Sequence, residues 1–251
     1  MFNMNFYYKF NKWLYIFLKR RYVRKFDINR NDYYIVSLGW NCVSRVITTR
    51  WELKKTKNQG GTSDPFDLCM HDVKFLPQII RSSFKNYFDD VKKINDKLWE
   101  NDKLKILYNH DDDLNTKEEF IERYKKRIDS FFGKLQSSKP ILFIYNSREE
   151  GTDDFDDIIE LKNTLYDLIQ NNRNKAFLCI ITNKEKIKER IRYIDGITCL
   201  CISQPTPKYV WYDPTQFFTY SGYKFEKKIV SAAYNLLKEI LKDSEKHSQY
   251  S

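Results

Sequence analysis

Three stretches of this sequence carry residues that could do chemistry. VSLGWNC at 36–42 ends in Cys42, YNHDDD at 108–113 holds His110 with Asp111 and Asp112 behind it, and YNSR at 145–148 brings Asn146, Ser147 and Arg148. A thiol becomes a strong nucleophile once its proton is removed, and an imidazole is well suited to remove it near neutral pH. If Cys42 opens a helix, unpaired amides and the helix dipole should favour its thiolate. The competing readings are plain: an early helical cysteine is often a small buried hydrophobe, and a histidine among Asn and Asp is often a solvated loop residue. Cys179, Cys199 and Cys201 lie inside apolar runs and read as core. His71, in LCMHD, begins a helix and is the weaker base, and His247 near the end is set aside. The acidic runs 111–113 and 153–157 offer only oxygen ligands at a spacing that fits no calcium loop. They read as caps and solvated turns, and neither a metal nor a cofactor is expected.

These residues need elements to position them. Residues 32–39 (DYYIVSLG) read as a buried strand ended by glycine, and Asn41 can cap a helix over 42–54. KNQGGTSDPFD (57–67) is the one Gly-rich loop. Short helices are expected at 72–84 and 91–99, then a strand at 105–109. From Thr116 onward, Phe120, Ile121, Tyr124, Ile128, Phe131, Phe132 and Leu135 recur at helical spacing, with Glu118 and Glu119 in the first turn. Apolar strands follow at 140–145, 176–182 and 197–202, separated by helices at 156–170 and 184–193, and a last helix covers 223–243. Continuous apolar strands alternating with amphipathic helices predict an α/β fold: a three-layer, doubly wound, mostly parallel sheet with helices on both faces. Sites in such sheets form beyond the carboxyl ends of the strands, where Ser37, Gly39, Asn41, Cys42, His110 and Asn146 should converge.

The chain has 251 residues, a formal charge of +10 and 41% hydrophobic residues. That suffices for one core, and with 7 Gly and 6 Pro it excludes collagen-like and low-complexity classes. Five cysteines with no CxxC pair argue for reduced thiols and a cytoplasmic setting. The charge is concentrated: residues 1–31 hold eight Lys and Arg against Asp27 alone, interleaved with Phe2, Phe6, Tyr7, Phe10, Trp13, Leu14, Phe17 and Leu18. Lys9 and Lys12 interrupt the apolar stretch, so neither an export signal nor a bilayer span of about 20 apolar residues is expected. A basic aromatic amphipathic helix suits an anionic membrane surface, which would make the protein peripheral on the inner face; the alternative is a helix packed on the domain. Nucleic acid is not an expected partner, because the basic residues are confined to one terminus. The expected organisation is a 1–31 segment, one α/β domain over 32–243, and a loose tail at 244–251.

VSLGWNC, followed about 20 residues later by TSDPFDL (62–68), resembles the paired SLG-x-x-C and S-x-PFDW elements of a bacterial and viral family labelled putative papain-like cysteine peptidases. YNHD (108–111), the ERYKKRIDSFFGKL helix and PILFIY look like later elements of that family, so the likeness covers roughly residues 33–220. Leu68 stands where the family has Trp, and VWYDPTQFF (210–218) is a reduced form of its C-terminal element. The resemblance implies a hydrolase with Cys42 as nucleophile and His110 as general base, Asp67 or Asp112 orienting the imidazole, and amides at the helix start stabilising an oxyanion. It also implies substrate contacts from Ser37, Gly39, Asn41, Ser63, Phe66 and Asn146. Papain-like domains pair a helical lobe with an antiparallel sheet, whereas the pattern here alternates strand and helix, and periodicity carries the fold expectation.

Two further readings stay open. At the level of architecture the chain is similar to esterases and acyltransferases whose nucleophile follows the first strand, which with the N-terminal segment suggests a glycan- or lipid-modifying enzyme at the membrane face. Their late Asp-x-x-His is missing. In a non-catalytic binding domain, Gly39, Phe66 and Asp67 would only hold loops, and Cys42 would be buried and inert. The substrate, whether protein, glycan or lipid-linked, is not encoded in any recognisable motif.

Overall fold

The computed structural model describes residues 4–148, 152–169 and 174–248. Phe2, Gln170 and the last three tail residues therefore lie outside the described residues. The chain opens with helix α1 (Met4–Val23), then strand β1 (Tyr34–Gly39), α2 (Val43–Arg50), β2 (Cys69–Met70) and α3 (Leu76–Arg81). Next come β3 (Val91–Asn95), β4 (Leu98–Asn101), β5 (Ile106–Tyr108), α4 (Lys117–Leu135), β6 (Ile141–Asn146) and α5 (Phe155–Leu168). The last part holds β7 (Lys175–Asn183), β8 (Arg190–Ile194), β9 (Ile197–Ser203), α6 (Pro214–Phe217) and α7 (Tyr220–Ser248).

The fold is α/β, with a mostly parallel sheet ordered β1-β6-β7-β9-β8; only β8, at the edge, is antiparallel. The parallel strands follow chain order without a reversal. Their residues are nearly all buried, which is why they read as unbroken apolar runs rather than alternating ones. Alternate side chains feed two cores. Val36, Leu38, Phe143, Tyr145 and Phe177 pack with residues of α3, α4 and α5. Ile35, Leu142, Ile144, Leu178 and Ile180 pack with residues of α1, α2 and α7. At the carboxyl end of β1, Leu38 pairs with Tyr145 and Gly39 with Asn146. A Cβ on Gly39 would lie 2.6 Å from the Asn146 backbone nitrogen, and its φ of +130° suits only glycine. The LG of the motif is therefore a close crossing that sets the Cys42 turn against Asn146.

Two expectations fail and a third holds only in part. Residues 91–99 form the β3–β4 hairpin rather than a helix: Asn95 Oδ1 accepts from the Lys97 N–H at 2.9 Å, and Trp99 stacks on Phe120. Residues 184–193 end in edge strand β8, because Asp195 and Gly196, at φ 49° and 78°, make the tight turn that pairs it with β9. Here the Asp-Gly turn overrides helix-forming Lys and Glu. The 105–109 strand exists as β5, but it belongs to a second, antiparallel sheet ordered β2-β5-β4-β3. In addition, α7 continues through Ser248, so 244–248 is helical rather than loose.

Candidate active site

Cys42 is the N-cap residue of α2, one position before the helix proper. Asn41 Oδ1 accepts from the Val43 N–H at 3.0 Å, so the cap is provided from one residue further back, and one amide expected to serve an oxyanion is already occupied. Asn146 Nδ2 donates to the same Asn41 oxygen at 3.2 Å, tying the end of β6 to the nucleophile turn.

His110 follows β5 and comes from the second sheet. Its Nε2 lies 3.1 Å from Cys42 Sγ, across 68 residues of sequence. Cys42 is only 2% exposed, while His110 is exposed. Burial pushes the thiol up to about 11, and the nearby Asp67 carboxylate adds to the rise, outweighing the thiol's own backbone N–H. The expected thiolate at a helix start is thus corrected: desolvation by the core exceeds the amide and dipole contribution. When the imidazole carries its proton on Nδ1, the protonated thiol can donate to Nε2, the arrangement that general-base removal of the proton requires.

Neither carboxylate proposed to orient the imidazole does so. Asp67 is fully buried beneath the loop, accepting from Lys54 Nζ at 2.7 Å and from the Asp64 N–H at 2.9 Å, with Arg45 Nε at 3.4 Å. Burial alone would raise its pKa, yet Lys54 and Arg45 hold it below the usual carboxylate range, while burial depresses Lys54 against the pull of Asp67 and Asp64. Asp112 faces solvent. The carboxylate that matters here is Asp111, which is fully buried and bound by Tyr124 Oη (2.8 Å), Arg127 (2.9 Å) and Arg123 (3.1 Å), all on α4. It clamps the turn that presents His110. The signal was in the sequence: Arg123, Tyr124 and Arg127 stand three and four apart on one helix face.

The remaining candidates divide. Ser63 and His110 line one open cavity of about 840 Å³, with Leu68, Leu114, Arg123 and Lys126 around it. Asn41 and Asn146 line another of about 210 Å³, closed by Trp40, Tyr209, Trp211 and Tyr212. The 210–218 segment thus reaches the strand ends. Cys42 is among the lining residues of neither cavity. Ser37 is buried and its hydroxyl lacks a hydrogen-bond partner among the described residues; Gly39 is enclosed by Asn146. Phe66 is 1% exposed and packed between His71, Phe84 and Phe131, so it serves the core and not a ligand. His71 is buried too, both ring nitrogens unpartnered among the described residues, far from the role of a base. No family model, curated protein or solved structure matches this chain.

Proposed function

We propose that the protein is a cysteine-nucleophile acyl-cleaving enzyme in which Cys42 attacks a carbonyl and His110 is the general base. The observation that carries this reading is the 3.1 Å contact between Sγ and Nε2, made between the turns that follow strands of two different sheets. In the first step the thiol proton passes to Nε2 as the S–C bond forms; the C–O or C–N bond then breaks and the same proton goes to the leaving group. Water or an acceptor hydroxyl, deprotonated by His110, attacks the thioester and regenerates the thiol. The resemblance of VSLGWNC and TSDPFDL to the papain-like cysteine peptidase family supports this assignment. For the architecture we read three layers, the two cores lying on opposite faces of the parallel sheet.

The test uses p-nitrophenyl acetate. Release of nitrophenol with one acetyl group on Cys42, abolished in Cys42→Ser and slowed about 100-fold or more in His110→Ala, is the expected result. A native protein that is never acetylated at Cys42 would overturn it in favour of a binding domain.

A second reading concerns place. Phe6, Phe10, Trp13 and Phe17 recur at helical spacing on α1 and are all exposed, Trp13 stacking on Phe17 at 5.7 Å. Arg20, Arg21 and Arg24 continue the same groove. No helix among the described residues is long and apolar enough to cross a membrane. We infer that α1 lies on an anionic membrane surface, rings inserted and guanidinium groups on head groups, which would favour a lipid-linked or surface-glycan substrate over a free peptide. Sedimentation with phosphatidylserine vesicles should carry the protein down, with a loss of at least about tenfold for Trp13→Ala/Phe17→Ala. Equal sedimentation of both proteins would overturn this placement.

A further inference from the structure

At the amino-terminal ends of β1 and β6, opposite the Cys42 end, lies a cavity of about 340 Å³ that the proposed chemistry does not use. Five of its lining residues are basic, Arg30, Lys54, Lys55, Lys134 and Lys139, and none is acidic. Lys54 and Lys134 form the floor, each held by Asp64, with Lys54 also on Asp67. Above them, the half-buried Lys55 donates to Asn31 Oδ1 and Arg30 reaches Gln59 Oε1 at 3.5 Å, so these two cations are met by neutral oxygens. Lys139 lies over the Tyr34 ring. One wall is the Gly60–Gly61 turn. A Cβ on Gly61 would meet the Lys55 carbonyl at 2.4 Å, so the glycine is what lets the loop fold tightly over the basic cluster. Thr62 and Ser130 bring hydroxyls to the rim, 2.6 Å from each other. The opposite wall, from Tyr33, Tyr34, Ile35 and Leu53, is apolar.

We propose that this cavity binds a phosphoryl group carried by a small molecule whose organic part lies on the Tyr34–Leu53 wall. Convergent ammonium and guanidinium groups with hydroxyls at the rim suit a compact, multiply charged anion better than a single carboxylate. The volume lies within the range of about 300–1,000 Å³ found for small-molecule sites. Gly61 and Thr62 line both this cavity and the one that holds His110. A ligand here would therefore press on the loop that borders the catalytic base, and the site is separate from the dyad itself.

Inorganic pyrophosphate is the probe, titrated calorimetrically against the full chain. Saturable binding is expected, weakened at least about tenfold in Lys55→Gln/Lys139→Gln and, on a separate segment, in Arg30→Gln. Cys42→Ser should bind as the native protein does, which keeps this test apart from that of the catalytic reading. Glycerol 3-phosphate and phosphatidic acid vesicles, used as competitors, distinguish a free phosphorylated metabolite from a lipid head group; displacement by either supports the site. Absence of saturable binding up to about 10 mM, or the same affinity in the native protein and in variants that melt normally, would overturn the proposal.

Discussion

At the scale of single residues, the pair Cys42 and His110 is defined as much by what surrounds it as by its 3.1 Å contact. A cysteine activated in advance would be held as thiolate beside an imidazolium. Cys42 is instead desolvated, with the Asp67 carboxylate near enough to disfavour negative charge on sulfur. Its alkylation by iodoacetamide should therefore climb about tenfold per pH unit above neutrality and level off only near pH 11, as followed by mass spectrometry. A plateau below the free-thiol value of about 8.5 would mean a stable ion pair and a different mechanism. Asp111 does the positioning: its bonds to Tyr124 and Arg127 fix the backbone one residue from His110.

At the scale of elements, the site exists because two sheets meet. The parallel sheet supplies Cys42 through the β1–α2 turn, and the small antiparallel sheet supplies His110 through the β5–α4 turn. The crossing of Gly39 over Asn146 governs the first of these turns. Gly39→Ala should be destabilising by several kcal/mol, since strain of about 1–3 kcal/mol at its positive φ adds to overlap with the Asn146 backbone. Urea unfolding measures this, and an alanine variant as stable as the native protein would refute the crossing. The second turn is anchored by α4, whose Thr116–Glu119 capping box ends the His110 loop where periodicity placed the helix start.

At the scale of the whole molecule, two buried ionisable groups, His71 and Glu226, tie stability to pH and to the docking of α1. Burial lowers His71 to about 3, against about 6.5 when unfolded, so the unfolded chain takes up a proton that the folded chain refuses. This group's contribution to stability is complete above about pH 6.5 and falls by about 1.4 kcal/mol for each unit below it, toward pH 3. Comparing urea unfolding at pH 7 and 5 should show this loss, and His71→Leu should reduce it. Glu226 of α7 accepts from Tyr15 of α1 and Trp51 at 2.6 Å each and from Arg50, joining three segments at one buried carboxylate. Glu226→Ala removes the acceptor of Tyr15 and Trp51 and leaves the Arg50 charge with only the Trp211 carbonyl and the Phe217 ring, and the protein should lose about 3–5 kcal/mol. Proteolysis at Lys19 and Arg20 should accelerate with it, as α1 loosens from the body.

The α/β class, the positions of β1, β6, β7 and β9, and the α4 helix could be read from the sequence because each is a local pattern. An unbroken apolar run or a helical repeat carries its own period. Cys42 and His110 were legible as residues at the ends of strands, and the Gly39 turn as a glycine closing one. Their pairing as nucleophile and base is implied by the resemblance and by strand-end placement, whereas the 3.1 Å contact across 68 residues depends on how two sheets pack. The β3–β4 and β8–β9 hairpins are masked in the sequence by charged, helix-forming residues around the Asn95 and Asp195–Gly196 turns, although the backbone follows the turns. Phe66 and Asp67 carry a motif that looks like a ligand site, yet burial turned one into core and the other into an anchor for Lys54 and Arg45. Local period and turn chemistry are properties of the chain; desolvation, and with it the protonation of Cys42, arises only when the tertiary structure excludes water.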